Sequence, residues 1–195
     1  MTFCDFHTHH ATTGKNIALV QDVHTQGVHP WRVTEESLNF CPSPDAIFIG
    51  ECGLDKLHDN IELQKKVFTR HIELSETMRR PLLIHCTRAW EELVLIAKTT
   101  RRTQPWIIHG FRGKPQLMHN LLSHNFYISF GMHFNEESLR TCPLDRMLLE
   151  TDEAPVSIEN IYEKASQIKQ ISMEELCQHM LENYMMLTHH TTPIP

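Results

Sequence analysis

The sequence predicts a single α/β domain over residues 1–195, a compact (β/α)8 barrel of the TIM type with some crossover helices shortened or missing. Two observations point there. Short β-rich runs recur along the chain, and several, such as Pro81-Leu-Leu-Ile-His85 and Pro105-Trp-Ile-Ile-His109, are continuously apolar rather than alternating. Strands of that kind are covered on both faces, as in a parallel sheet. Helical periodicity fills the intervals between them, and strands alternating with helices define an α/β fold.

The expected strands are Thr2–His7, Ile17–Val20, Thr25–His29, Ala46–Glu51, Pro81–His85, Pro105–His109, Phe126–Phe130 and Met147–Thr151. Eight of them favour a closed barrel over an open sheet. Such barrels typically take ~250 residues, so this chain of 195 must economise. Only a few residues join the first three strands, too few for full crossover helices. From Asp59 to Met78, apolar residues fall at Ile61, Val67, Phe68, Ile72, Leu74 and Met78, with Asp59 and Glu62 as cap, and Pro81 ends the helix. Trp90–Ala97 carries a second helix. Ser172-Met-Glu-Glu175 is a capping box, and behind it Met173, Leu176, Cys177, Met180, Leu181, Tyr184 and Leu187 form a core stripe.

Composition limits the function. The chain is 41% hydrophobic and 22% charged, which excludes disordered and fibrous classes. Eighteen basic residues against 24 acidic ones give a net charge of −6. That argues against duplex DNA or an anionic membrane held by bulk charge, but a bound metal can supply positive charge locally. No run approaches the ~18 apolar residues of a membrane span. The N-terminus lacks the marks of a secretory signal, so a cytoplasmic location is expected. The six cysteines form no CxxC pair and read as reduced. No protein partner is evident.

Histidine is the unusual residue, with 15 copies. His7-Thr-His9 follows the first strand, Glu51 the fourth, His85 the fifth, His109 the sixth and Asp152 the eighth. In a barrel these points converge on the C-terminal rim, where active sites sit. On an extended strand His7 and His9 face the same side and can hold one ion. His10 faces away. Six candidate ligands exceed a closed structural zinc site, and imidazoles mixed with carboxylates suit open Zn²⁺ or Mn²⁺ sites. A centre of two divalent ions (Zn, Mn or Mg) bridged by a carboxylate accounts for the count.

The series His7-Thr-His9, Gly27-Val-His-Pro30, Gly50-Glu-Cys-Gly-Leu-Asp55, Ile84-His85, His109-Gly-Phe111 and Glu150-Thr-Asp152 resembles the TatD family of metal-dependent hydrolases. The resemblance runs from residue 3 to about 155. It implies a barrel related to the amidohydrolases, a dinuclear metal site and a deoxyribonuclease activity, often 3′→5′ exonucleolytic. It further implies that His7, His9, Glu51 and Asp152 hold one metal and Glu51, His85 and His109 the other, with His29 near the substrate phosphate. Two departures stand out: Glu150-Thr-Asp-Glu-Ala-Pro155 is one residue longer than the family motif, and Arg88 follows His85 by three positions instead of two.

Among the remaining residues, Arg88 and Arg112 each lie three residues past a candidate ligand and could clamp phosphate oxygens. Asp55 and Lys56 read as structural, and Glu150 as a partner of the ligands. His24, His58, His71, His119, His124, His133, His179, His189 and His190 read as surface or packed. Trp31 and Trp90 could stack a base, although Trp90 suits packing better. The expected reaction is hydrolysis of a phosphodiester of DNA, or of another phosphodiester substrate, with Asp152 as general base and Glu51 bridging the metals. The alternatives are an amidohydrolase acting on an amide, ester or lactone, a phosphoesterase of the polymerase-and-histidinol-phosphatase type, and a metal-binding module.

Overall fold

Among the described residues eight parallel strands form in chain order: β1 (Cys4–Thr8), β2 (Ile17–Val20), β3 (Thr25–Gln26), β4 (Phe48–Asp55), β5 (Leu82–Thr87), β6 (Trp106–Ile108), β7 (Phe126–Phe130) and β8 (Met147–Leu149). The structure, a computed structural model, describes residues 1–10 and 16–188. Strands β3 to β8 make one curled sheet in sequence order, and β1 and β2 make a second. Isolated parallel bridges Gln21–Thr25 and Thr8–Asp152 join the two into a ring. The expected barrel is therefore present, thinly joined on either side of the β1–β2 pair.

The expected economy falls where the short connections placed it. Among the described residues no α-helix precedes α1 (Ile61–Met78), and two short 3-10 turns, Pro30–Arg32 and Glu35–Asn39, connect β3 to β4. Helices α2 (Trp90–Thr99), α3 (Pro115–Ser123), α4 (Glu136–Thr141), α5 (Ile158–Lys169) and α6 (Met173–Thr188) follow the later strands. The sequence reading did not include α3, α4 and α5, although each carries a start signal. Pro115 opens α3, the Asn135 side chain accepts from the Ser138 amide at 3.0 Å, and Ser157 caps α5. The Asp59 cap is corrected: Asn60 precedes α1, in the left-handed region and without a side-chain cap bond. Ser172 does cap α6, accepting from the Glu175 amide at 3.1 Å.

Continuous apolar strands fill the interior as their composition required. Leu82, Leu83, Ile84, Trp106, Ile107, Ile108, Leu148 and Leu149 are all fully buried. At the N-terminal ends of β6 and β7, the Arg102 guanidinium lies 4.6 Å from the Trp106 ring and 4.8 Å from the Phe126 ring. All six cysteines are free. His189 and His190 lie outside the described residues.

The seam between β8 and β1 combines backbone bonds, from the Asp152 amide to the His7 carbonyl at 2.9 Å and from the His9 amide to the Asp152 carbonyl at 3.1 Å, with one buried carboxylate. Asp5 accepts from the Thr151 amide at 3.0 Å and from the Thr151 hydroxyl at 2.6 Å. Burial pushes its carboxyl up to about 6, from 3.8 for a free side chain, against the pull of the Thr151 bonds. The folded chain thus binds this proton more tightly than the unfolded chain, so Asp5 makes stability fall as pH rises from about 4 to about 6. The shift is worth about 3 kcal/mol. Chemical denaturation of the metal-stripped protein across this window should show that loss, and Asp5→Asn should remove most of it. An unchanged slope in the variant would mean that other groups carry the dependence.

Candidate metal centre

Glycine sets the position of Glu51. A Cβ on Gly50 or Gly53, both at positive φ, would collide with the carbonyl oxygen of Leu83 or His85 on β5. One on Gly27 would meet the Gly50 backbone at 2.5 Å. Side-chain-free positions therefore let β4 run against its neighbours on both sides of Glu51. The β4–β5 register shifts between Ile49 and Cys52, and the Gly50–Glu51 peptide is cis. This corrects the expected strand ends: β4 continues to Asp55 and β5 to Thr87, so Glu51 and His85 lie within strands.

The irregular register aims Glu51 into the barrel mouth, where it is 5% exposed. Its two oxygens face different partners. Oε2 lies 3.5 Å from His7 Nε2 and 3.9 Å from His9 Nε2. Oε1 lies 2.6 Å from His109 Nε2 and 3.1 Å from both His85 Nδ1 and His29 Nε2. Asp152 closes the His7–His9 side, its Oδ1 3.7 Å from each Nε2. Asp152 adopts φ 55, a left-handed conformation that Asp tolerates better than most residues. All six sequence-predicted ligands thus converge on one point.

These donors suit divalent ions better than they suit one another. His7 is fully buried, yet neither of its ring nitrogens is hydrogen-bonded. Donors ~2.0–2.1 Å from a common ion stand roughly 3–3.5 Å apart, close to the separations around Glu51. The imidazoles are also oriented for ligation. His85 Nε2 meets Asp55 Oδ2 at 3.1 Å, which directs the Nδ1 lone pair towards Glu51. His109 Nδ1 lies 3.3 Å from Glu150 Oε1, which leaves Nε2 for the ion. Carboxylates behind ligating histidines fix the tautomer in this way. Glu150 itself is held by the Ser129 hydroxyl and the Gly110 amide, and Gln64 accepts the Asp55 amide hydrogen at 2.7 Å.

His29 is polarised the other way. Its Nδ1 accepts from the Trp31 amide at 3.2 Å. The proton of a neutral ring then sits on Nε2 and is donated to Glu51. This tautomer makes His29 a donor to carboxylate or substrate rather than a lone-pair ligand.

Burial raises the Glu51 carboxyl, but the charge and hydrogen bond of His109, with the hydrogen bond of His29 and the nearby His7 ring, outweigh it and hold the group far below the usual range. Burial lowers His109, yet the Glu51 charge and the Glu150 contact raise it well above an ordinary histidine. Burial also raises Asp152, reinforced by the charges of Glu150 and Glu51 and opposed by His109 and His7.

A cavity of about 850 Å³ opens over this cluster, and Arg88, Arg112, Trp31 and Arg32 are among the residues that line it. The three arginines are exposed, and none has a side-chain ion pair among the described residues. Arg32 was missed at the sequence level although it lies three residues past His29, as Arg88 and Arg112 do past His85 and His109, because His29 was not counted among the metal ligands. Gln64 and Ser129 were missed too, since they act through Asp55 and Glu150. Trp90 packs against Phe111, with ring centroids 6.1 Å apart.

A parallel barrel with imidazoles and carboxylates gathered at its C-terminal rim defines a metal-dependent hydrolase. Residues 2–189 match the profile of the TatD related DNase family, and the chain belongs to that family. It is 29% identical to the metal-dependent hydrolase YabD of Bacillus subtilis, covering 77% of this chain and 70% of that protein. It is 28% identical to the 3′-5′ ssDNA/RNA exonuclease TatD of Escherichia coli, covering 66% of this chain and 56% of that one. The fold matches the crystal structure of YJJV, a TatD homologue from Escherichia coli, with TM-score 0.72 and 20% identity over 92% of this chain and 78% of that one.

Metal uptake should carry a pH signature. His109 must release its proton before Nε2 can ligate, so affinity should rise with pH and binding should release protons. Glu150→Gln removes one of the charges that hold this proton. Calorimetry in buffers of different ionisation enthalpy should therefore show less proton release for the variant, with metal affinity ~10–100-fold lower. Equal proton release in the two proteins would remove Glu150 from this role.

Proposed function

We propose that the chain is a nuclease that uses two divalent ions (Zn, Mn or Mg) to hydrolyse phosphodiester bonds at the 3′ end of single-stranded DNA. The observation that carries this reading is the cavity itself. Arg32, Arg88 and Arg112, with no side-chain ion pair among the described residues, line the same 850 Å³ space as the cluster around Glu51, an arrangement for an anionic substrate. The amidohydrolase alternative needs no such cations. It also fits Glu51 poorly, because many binuclear amidohydrolases resemble one another in placing a carbamylated lysine at this strand. The exonuclease activity named for the Escherichia coli relative supports the same class.

His7, His9, Asp152 and Glu51 Oε2 would hold one ion, and His85, His109 and Glu51 Oε1 the other, with Glu51 as the bridge. Bound divalent ions supply a water acidified towards neutral pH and Lewis acidity at the phosphoryl oxygen. Asp152, at the open side of the cluster, accepts the proton of the attacking water. His29 Nε2–H donates to a substrate oxygen, and Arg88 and Arg112 balance charge that grows on the phosphoryl group. Glu150 and Asp55 keep the two ligating imidazoles in register throughout.

Elemental analysis of protein purified without chelator should approach two ions per chain. Single-stranded oligonucleotides labelled at either end should be trimmed from the 3′ end only when metal is supplied. Asp152→Asn should slow turnover by about 10²–10⁴-fold while leaving the melting temperature of the metal-stripped protein nearly unchanged. Hydrolysis of carbonyl substrates with no action on DNA would favour the amidohydrolase reading instead.

Binding should also respond weakly to salt. Three arginines on a single strand correspond to a slope of about −2 in log affinity against log salt. A non-hydrolysable oligonucleotide titrated at several salt concentrations tests this, and a slope implying six or more phosphates would require a basic track elsewhere.

A further inference from the structure

Trp31 and Arg32 are neighbours in the 3-10 turn Pro30–Arg32, and both line the cavity beside the cluster. The turn is fixed from below, with Pro30 buried and the Trp31 amide bonded to His29. The indole is fixed as well, because its Nε1–H donates to Asp55 Oδ2 at 2.6 Å. Asp55 cannot swing to release it, since its Oδ1 accepts from the Leu57 amide at 2.8 Å. Despite these restraints Trp31 is 57% exposed, whereas Trp106 is fully buried. A core role does not explain an aromatic ring pinned in place and left in solvent.

The surroundings of the ring indicate what it would take. The His58 imidazole already stacks nearly parallel on one side of the ring, centroids 4.6 Å apart at 23°, and the part of the indole left 57% exposed is what a flat ligand would cover. Its centroid is 4.7 Å from the His29 ring and 5.9 Å from the His85 ring, within one nucleotide's span of the cluster. Arg32 is exposed and has no side-chain ion pair among the described residues.

We propose that Trp31 and Arg32 form a nucleotide subsite beside the metal cluster: a base of single-stranded nucleic acid stacks on the indole, and an adjoining phosphate pairs with Arg32. This rests on the nuclease reading for its class of ligand. Stacking accepts any base, because each presents a π face, and it requires a base free of its complement. A ring already held in place loses little freedom when the base arrives. The subsite therefore selects unpaired ends without selecting sequence.

The test is a binding measurement on metal-stripped protein, which separates it from turnover. Thymidine 5′-phosphate and its base-free counterpart, deoxyribose 5-phosphate, are titrated by calorimetry and by tryptophan fluorescence. Wild type should bind the base-bearing ligand ten- to a hundred-fold more tightly, on the order expected for one stacked base. Trp31→Leu should abolish that preference. Trp31→Phe keeps the ring but lacks the Nε1–H, so it should retain most of the preference, which separates stacking from the Asp55 contact. Arg32→Gln should weaken both ligands by a similar factor.

Equal binding of the two ligands by wild type, binding of neither, or an undiminished preference in Trp31→Leu overturns the proposal. Base preference without cleavage of DNA by the metal-loaded enzyme would retire the nuclease reading and leave the subsite standing. Cleavage of DNA without base preference would do the reverse.

Discussion

Glu51 brings one carboxylate, 5% exposed, within 2.6–3.9 Å of imidazole nitrogens from His7, His9, His29, His85 and His109. A charge buried that deeply costs several kcal/mol unless it is paired. The partners come from strand β1, the segment after β3, strand β5 and the end of β6, so pairing it requires the upper barrel to be assembled. Gly50 and Gly53 make the position reachable, because any side chain there would strike the β5 backbone. Local sequence, strand packing and site chemistry meet at this residue.

The carboxylates behind the histidines extend the same logic outward. Asp55 holds His85 and Glu150 holds His109, each presenting a lone pair to the centre. His29 faces the same Glu51 oxygen but is set as a donor by the Trp31 amide. Three histidines around one oxygen thus take two chemical roles, and the contact on the far ring nitrogen decides which. This also explains why Asp55, read from sequence as structural, matters to the site: its hydrogen bonds reach His85 on one side and the exposed Trp31 on the other.

Much of this was legible in the sequence, for a physical reason. Parallel strands must be apolar along their length, so a histidine or carboxylate that closes such a run stands out, and barrel geometry then brings those positions together. That is how His7, His9, His85, His109, Glu51 and Asp152 could be found without a structure. Strand limits were harder. The run Ala46–Glu51 ends apolar continuity at the carboxylate, but hydrogen bonding carries β4 on to Asp55 through Gly53. The short helices α3 and α4 are under three turns each, too short for periodicity to announce them, and only their first residues hinted at a helix. Arg32 repeats the three-residue spacing that singles out Arg88 and Arg112, and it is passed over only because His29 reads as a substrate contact and not as a ligand.

The two isolated bridges flanking β1 and β2 have a consequence for how the barrel breathes. Elsewhere each strand is zipped to its neighbour by a ladder, whereas the β1–β2 pair joins the six-stranded sheet through Thr8–Asp152 on one side and Gln21–Thr25 on the other. Regions with few backbone bonds to the remainder open first in native-state fluctuations. His7 and His9 ride on this narrow flap, while Glu51, His85, His109 and Asp152 belong to the broad sheet or its immediate extension. An ion held by His7, His9 and Asp152, as proposed, would be a rivet across this thinly bonded joint of the ring. Its binding energy adds to the energy needed to lift the flap, so amide exchange in β1 and β2 would slow on metal loading well before the strands opposite register any change.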